Sequence, residues 1–287
     1  MKNVGGQAVI EGVMMKAPNG WSVAVRDPKG EIHIKRQPTA SRKGFVKLPI
    51  IRGVLALADA LIIGIQALDF SASKAYTGEG EKPLTPLSIS LTIIAAFGLA
   101  ILLFLLLPLY LTRLIPATEQ SSLWFNVVDG LIRVFLFILY VFCVGLWKEM
   151  ARIYEYHGAE HKVIHAYEEG LDLNLDNIRR YSTRHPRCGT SFLFIVMILS
   201  ILVFSFIPHS WNFLAKFLSR IVLIPAIAGF SYEVLRLSAK LKDNMLVRLM
   251  ILPGLLLQRL TTREPDDSQI EVAIVALKEA VILGGES

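Results

Sequence analysis

The sequence has too few cysteines to build a disulfide framework. Of the two present, Cys143 lies in an apolar run and Cys188 in a polar loop, so both are read as free thiols in a reducing compartment. Charge is scarce as well, since Asp, Glu, Lys and Arg make up 19% of the residues while hydrophobic residues make up 53%. The N-terminal residues lack the apolar core of a signal peptide. We therefore expect the apolar spans to direct membrane insertion themselves.

Long apolar runs dominate what remains, and they are typical of an integral membrane protein. The predicted spans are residues 87–107, 127–147, 192–207 and 221–235. The first is the clearest, because 21 residues without a charge can cross a hydrocarbon core of about 30 Å. The last two are short and predict a transmembrane hairpin or, alternatively, a re-entrant pair. In the second span, we expect Asp129 and Arg133 to reach the headgroups by snorkelling.

The distribution of positive charge predicts the orientation of these spans. Lys and Arg number twelve in residues 1–86, seven in residues 148–191 and seven in residues 236–287, against one in residues 108–126. Because positively charged loops stay inside, both termini and the central loop are predicted to be cytoplasmic. The sequence thus predicts a multi-pass protein of the inner (plasma) membrane.

One further apolar segment, residues 53–68, could be a fifth span. An odd number of spans would not place both termini on the same side of the membrane. Its two polar residues, Asp59 and Gln66, are seven apart and share one helical face. We therefore predict an amphipathic helix that lies in the interface.

The predicted fold class is an α-helical integral membrane protein with about four transmembrane helices, a small N-terminal antiparallel β element and cytoplasmic helices. The predicted segments are a cytoplasmic β-rich domain (1–52), an interfacial amphipathic helix and linker (53–86), transmembrane helices 1 and 2 (87–147), a cytoplasmic His-rich helix and basic loop (148–191), transmembrane helices 3 and 4 (192–235) and cytoplasmic C-terminal helices (236–287).

Three features of the cytoplasmic segments can be predicted in more detail. Residues 7–36 contain three β-rich runs, AVIEGVMM, WSVAVR and EIHIKR, separated by two turn signals. Residues 148–169 are predicted to continue the second span as one unbroken helix that ends at Gly170. Residues 268–271 read as a capping box that opens the last helix.

The most specific chemical signal is the sequence His157-Gly-Ala-Glu160-His161, followed by His165. Two histidines at i and i+4 share one helical face and can bind one metal ion. Read as H-x-x-E-H, the motif is the reversed zincin pattern, in which the glutamate polarises the attacking water. The alternative is an exposed helix whose His and Glu side chains pair with one another.

A second group of candidates precedes the third predicted span. His185 and Cys188 have ligand spacing, and Arg184 and Arg187 flank them. If His157, His161, His185 and Cys188 all bound one zinc ion, the site would be closed and structural, whereas three ligands would leave a position open for water. The alternative is a basic segment that contacts anionic lipid headgroups.

Weaker candidates lie near the two ends of the chain. Glu11 and Gln7 are predicted on one side of a strand, where Glu11 could supply a carboxylate, although a bulge or turn explains the same glycine-bracketed run. Arg263 and Glu264 remain after the neighbouring acidic residues are assigned to the start of the last helix.

The motifs GGQAVIEGVMM, EYHGAEHK, RHPRCGTSF and LTTREPDDSQIEVAI, in this order, resemble those of the YqhQ-like family, domain of unknown function 1385. The resemblance covers essentially the whole chain. It implies a predicted metal-dependent membrane enzyme and no particular substrate.

Two functions follow as expectations. The first is a metal-dependent, hydrolase-like membrane enzyme in which His157 and His161 hold a divalent ion and Glu160 is the general base or orients the attacking water. The types of donor atom predict that this ion is zinc. The second is a non-enzymatic scaffold that docks anionic lipid, the ribosome or another cytoplasmic protein at the membrane, with at most a structural metal. The net charge of +6 favours neither function, because the positive-inside bias alone generates it. Sequence-specific nucleic-acid binding is not expected.

Overall fold

The structure is a computed structural model, and it describes residues 4–39, 44–76, 86–240 and 244–284. The strands are β1 (Gly5–Val9), β2 (Gly12–Ala17), β3 (Gly20–Arg26) and β4 (Ile32–Pro38). The helices are α1 (Ile51–Ala75), α2 (Pro86–Ile101), α3 (Leu107–Arg113), α4 (Ser122–Val144), α5 (Lys148–Glu168), α6 (Leu175–Ile178), α7 (Gly189–Phe204), α8 (Phe213–Lys240), α9 (Met245–Thr261) and α10 (Asp267–Leu283). A π-helical turn, Leu102–Leu106, joins α2 to α3 without a break.

The predicted N-terminal β element is a four-stranded antiparallel sheet in the order β1-β2-β3-β4. The run AVIEGVMM, predicted as one strand, is split into β1 and β2 by a tight hairpin in which Val9 pairs with Gly12. Glu11 occupies this turn with a φ of 50°, an uncommon conformation for a residue other than glycine. Gln7 and Glu11 are therefore not on one strand, and that prediction was wrong.

Helices cover both faces of the sheet, because alternate residues of the strands point to opposite sides. On one face, Val13 and Met15 pack against apolar residues of α5 and α10 such as Val163 and Leu277. On the other face, Met14 and its neighbours pack against the second half of α1. The sheet, α5 and α10 thus form one packed domain, which we call the sheet domain.

Within the described residues, four helices are long and apolar enough to cross a membrane: Ile51–Ala75, Ser90–Arg113, Ser122–Val144 and Phe213–Ser238. The last three contain most of the predicted spans 87–107, 127–147 and 221–235. The predicted span 192–207 corresponds to α7, which has 16 residues and is a shorter apolar helix. The chain is therefore compatible with a multi-pass membrane protein.

Helix α1 is longer than the predicted interfacial segment, and it meets the length and hydropathy of a span. Its first half packs on α8, where Gly53 lies against Gly229, and its second half packs on the sheet through Ile63 and Ala67. Its interfacial position stays a prediction.

The expectation of one continuous helix from the second span into the His-rich segment was wrong. Helix α4 ends at Val144, and α5 begins at Lys148 after Trp147, which is extended with a ψ of 137°. The chain can turn here because the guanidinium of Arg263 donates a 2.7 Å hydrogen bond to the Gly145 carbonyl, a group that the helix leaves unsatisfied.

Two predicted helix ends can be compared directly. Gly170 has a φ of 75°, and the amide of Leu171 donates to the Ala166 carbonyl, as expected for a glycine that follows a helix. The capping box of α10 is formed by Asp266 and Gln269, two residues before the predicted start.

The prediction that Asp129 and Arg133 of α4 reach the lipid headgroups by snorkelling was wrong. Both are buried, and Asp129 bridges Arg133 at 2.5 Å and Arg220 of α8 at 2.7 Å. The two guanidinium groups lie 5.3 and 5.2 Å from the ring of Phe204. A polar network, rather than apolar packing alone, therefore joins α4, α7 and α8 at the end of the bundle remote from the sheet domain.

Candidate metal centre

Helix α5 presents its metal-capable residues to a narrow interface rather than to solvent. Glu160 and His161 are buried, with 5% and 1% of their surface exposed, so the alternative of an exposed helix whose side chains only pair with one another is wrong. The close approach depends on Gly158, because a Cβ atom there would overlap the carbonyl oxygen of Arg263. The segment between α9 and α10 can therefore lie directly on α5.

Backbone carbonyls orient both histidines of the motif. His157 Nδ1 lies 2.8 Å from the Thr261 carbonyl oxygen, and His161 Nδ1 lies 2.5 Å from that of Thr183. A carbonyl oxygen only accepts, so each Nδ1 carries the hydrogen and each Nε2 keeps its lone pair. This is how metal-binding histidines are usually held by their surroundings.

Cys188 completes the group. It is the N-cap of α7, where a negative charge is favoured, and its Sγ accepts from Thr190 Oγ1 at 3.2 Å. Its sulfur lies 3.2 Å from His157 Nε2. The ligand atoms of His157, His161 and Cys188 all lie within 4.8 Å of one another.

The types of donor atom in this group, and the lack of a hydrogen-bond partner for one of them, fit a metal ion. His161 Nε2 is buried, points into the group and has no hydrogen-bond partner. Two imidazole nitrogens and one sulfur suit a borderline-soft ion such as zinc. Three donors also leave one coordination position for another group.

A second cluster with metal-ligand spacing consists of Asp27 and Glu31, in the turn between β3 and β4, and His33 at the start of β4. The Asp27 carboxylate there is already held by His33 at 2.9 Å and by the amides of Lys29 and Glu31. Its local hydrogen bonds account for this arrangement.

Glu160 lies beside the three-residue group. Its Oε2 is 4.0 Å from His157 Nε2, and its side chain rests on Gly6 of β1, whose amide donates to it. Burial raises the pKa of the Glu160 carboxyl, and the nearby His157 and His185 act in the opposite direction. A carboxylate with a raised pKa is suited to accept and return a proton near neutral pH.

His165 and His185 lie next to the group but outside it. His165 Nε2 donates to the Arg184 carbonyl at 3.0 Å, and the ring stacks on Tyr181. His185 Nδ1 accepts from the Arg187 amide at 3.2 Å, so its Nε2 carries the hydrogen. His185 Nε2, like that of His161, is buried without a hydrogen-bond partner, but in this arrangement neither His165 Nε2 nor His185 Nε2 has a lone pair to offer. Neither residue belongs to the group of ligand atoms within 4.8 Å, which favours a three-ligand site over the closed four-ligand alternative.

Burial also sets the protonation of these two rings. It lowers the pKa of His165, and it lowers the pKa of His185 to about 4. Both rings are consequently neutral at pH 7.

Arg184 and Arg187 occupy different environments in the loop that precedes α7. The Arg184 side chain is exposed, whereas Arg187 is paired with Glu168, which also lies 3.5 Å from His185 Nε2. Glu168 is on the same stripe of α5 as the histidines. The loop thus places a basic rim beside the buried group.

Three of the candidates hold the scaffold together and are not in the group. Glu11 pairs with Arg152 and accepts from the Tyr156 hydroxyl at 3.3 Å. Glu264 pairs with the buried Lys162 of α5. Arg263, as described above, binds the end of α4.

Sequence reasoning missed Gln258, which is fully buried. Its Oε1 accepts from the His185 amide at 2.8 Å, and its Nε2 donates to the His185 carbonyl at 2.9 Å. A polar residue inside the apolar helix α9 was the available signal. Thr183 and Thr261 could not have been found, because they act through backbone carbonyls that any residue has.

Taken together, these features define a class: a mainly helical protein, compatible with a membrane location, with a His-Cys group between α5, α7 and α9. The chain belongs to the family described as "Protein of unknown function (DUF1385)", whose model matches residues 48–282. It is 32% identical over 294 residues to the "Uncharacterized protein YqhQ" of Bacillus subtilis (strain 168), covering 97% of this chain and 92% of that protein. No solved structure matches the chain. The resemblance noted from the motifs is thus confirmed.

Proposed function

We propose that this protein is a metal-dependent membrane enzyme that catalyses hydrolysis. The observation that supports the proposal is the pair of Nε2 lone pairs on His157 and His161, which are left available because carbonyls hold the opposite ring nitrogens. The ligand atoms of these two residues and Cys188 lie within 4.8 Å of one another. Such a group would hold one zinc ion with three protein ligands, the number found in catalytic rather than structural sites.

A bound divalent ion lowers the pKa of water and so supplies a nucleophile at neutral pH. Glu160 would accept the proton of the attacking water and return it to the leaving group, so that water adds across the broken bond. Its raised pKa and its place beside His157 suit this role. The site is largely closed to solvent, and low polarity strengthens the electrostatic effect of each group.

Metal content tests the first part of the proposal. Purified wild type should carry close to one zinc per chain by elemental analysis, and the double variant His157→Ala/His161→Ala should carry none. His209→Ala is the matched control, because this histidine lies near Ser122 at the far end of the bundle. Equal, near-zero metal in wild type and in the double variant would reject the site.

Glu160→Gln separates an enzyme from a scaffold. In an enzyme, this variant should keep its metal and its fold and fail to complement a deletion strain, since Glu160 is not a proposed ligand. In a scaffold with a structural metal, it should complement, whereas Cys188→Ala should lose metal and expose the 170–188 loop to protease. A functional Glu160→Gln with metal retained would replace hydrolysis with the docking alternative.

A further inference from the structure

An apolar groove runs between α4, α7 and α9 next to the candidate metal centre. Its volume is about 290 Å³, and every residue that lines it is apolar. The principal lining residues are Val134 and Ile138 of α4, Phe194 and Met197 of α7, and Leu257 and Leu260 of α9.

The groove lies within about 15 Å of the ends of α4 and α7 that face the sheet domain. Val134 and Ile138 are ten and six residues before the end of α4 at Val144, or about 15 and 9 Å along the helix axis. Phe194 and Met197 lie at similar depths, about 8 and 12 Å from the start of α7 at Gly189. A leaflet has about half of the 30 Å hydrocarbon core, so with the bilayer surface placed at these helix ends the groove would span the leaflet on the side of the sheet domain.

Helix α9 connects the groove to the centre. Leu257 and Leu260 line the groove, while Gln258 holds the backbone of His185 and the Thr261 carbonyl holds His157. In α9, each of these groove-lining leucines is thus followed directly by a residue that contacts a histidine of the polar site.

The loop at the start of α7, which is the end of this helix nearest the candidate metal centre, suits contact with a lipid headgroup. The loop that leads into α7 exposes Arg180 and Arg184. Arginine side chains at this level attract anionic phospholipids. In a bilayer, the apolar molecules available to a half-open groove at this depth are lipid acyl chains.

We infer that the groove binds an acyl chain of an anionic phospholipid and presents its polar end to the centre formed by His157, His161 and Cys188. The substrate class of the enzyme is then a membrane lipid, an inference that rests on the proposed function. The groove would position the chain, and the carboxyl-derived or phosphate group of the lipid would lie at the level of Glu160.

Photolabelling tests this inference with the full-length protein. The protein is reconstituted into vesicles of phosphatidylethanolamine and phosphatidylglycerol that contain a trace of phosphatidylglycerol with a diazirine on one acyl chain. After illumination, labelled residues are mapped by mass spectrometry. Label should concentrate on the groove residues, in particular Met197 and Leu260.

Two neighbouring substitutions provide the variant and its control. Ile138→Trp places a bulky side chain in the groove, whereas Leu139→Trp places it on the same helix outside the groove, and the native residues are similarly exposed at 41% and 44%. Ile138→Trp should lose the groove label, Leu139→Trp should keep it, and both should retain the metal content of wild type.

The outcomes separate this inference from the proposed function. Uniform labelling of groove and other bilayer-facing residues, or a groove label that survives Ile138→Trp, would overturn the lipid site even if the protein carries metal. Groove label that responds as expected in a protein without metal would support the lipid site and reject the hydrolase.

Discussion

The side chain of Gln258 satisfies both backbone polar groups of His185, although 73 residues separate them. The two hydrogen bonds are 2.8 and 2.9 Å long, and a third, of 3.2 Å, joins Gln258 to Ser191 Oγ. Gln258 thereby fixes the turn that carries Cys188 relative to α9, which also holds His157.

Gln258→Met should loosen the candidate centre without removing a ligand. The variant leaves the amide of His185 buried without a partner, at a cost of about 1–3 kcal/mol, and leaves its carbonyl with only the 3.3 Å hydrogen bond from the Cys188 amide. We expect metal affinity to fall roughly 10–100-fold, the usual range for groups that orient ligands. Competition with a zinc chelator measures this. The exposed Gln37→Met is the control, and equal affinity in both variants would contradict the role of Gln258.

Gly158→Ala should displace the segment that crosses α5. The added methyl group would overlap the Arg263 carbonyl, so Thr261 would move away from His157. We expect loss of bound metal and a lower melting temperature. Gly189→Ala is a strict control, because it is adjacent to Cys188 and a Cβ atom there meets nothing within 4 Å. Wild-type metal content in Gly158→Ala would show that the contact is dispensable.

Asp129→Asn should destabilise the helical bundle strongly. It leaves two buried guanidinium groups, of Arg133 and Arg220, without their counter-charge, and breaking such a buried pair costs about 3–5 kcal/mol. Thermal unfolding in detergent would measure the loss, with the exposed Asp69→Asn as the control. Adding Arg220→Met to Asp129→Asn should restore part of the stability. Strictly additive effects in this double-mutant cycle would argue against coupling.

Acid should destabilise the chelator-treated protein through His185. The His185 pKa is lowered from 6.5 to about 4, so the unfolded chain takes up the proton at a higher pH than the folded one. The contribution of His185 to the free energy of unfolding is therefore fully present above pH 6.5 and is lost as the pH falls from 6.5 toward 4. The whole contribution is at most about 3 kcal/mol. Denaturant unfolding across this range should show the slope, and His185→Gln should reduce it. An unchanged slope in the variant would assign the effect elsewhere.

The predicted orientation can be tested with reporter fusions. Reporters after residues 80, 175 and 287 should indicate the cytoplasm, and one at residue 118 the opposite side, because Lys and Arg are concentrated in the first three regions. An external signal at residue 175 would place the candidate centre on the other side of the membrane. A change of side between residue 48 and residue 80 would make α1 a true span.

The local patterns of the sequence predicted several elements because those signals act over a few residues. The turns around Pro18-Asn19-Gly20 and Asp27-Pro28 and the end of α5 at Gly170 depend on backbone preferences of nearby residues. The split of the first β run was missed, because the left-handed conformation of Glu11 is supported by Arg152 from a distant helix.

The sequence by itself determined the helical, apolar character of the chain and the His157–His161 pairing on one face of α5, since composition and helical periodicity require nothing further. Only the tertiary structure decided which residues meet this face. It brought Cys188 into the group and left His165 and His185 beside it, according to which ring nitrogen finds a carbonyl or an amide. It also buried Asp129 with two arginines, because α7 and α8 pack around α4. Such contacts depend on how distant segments pack, so they cannot be predicted from the spacing of residues along the chain.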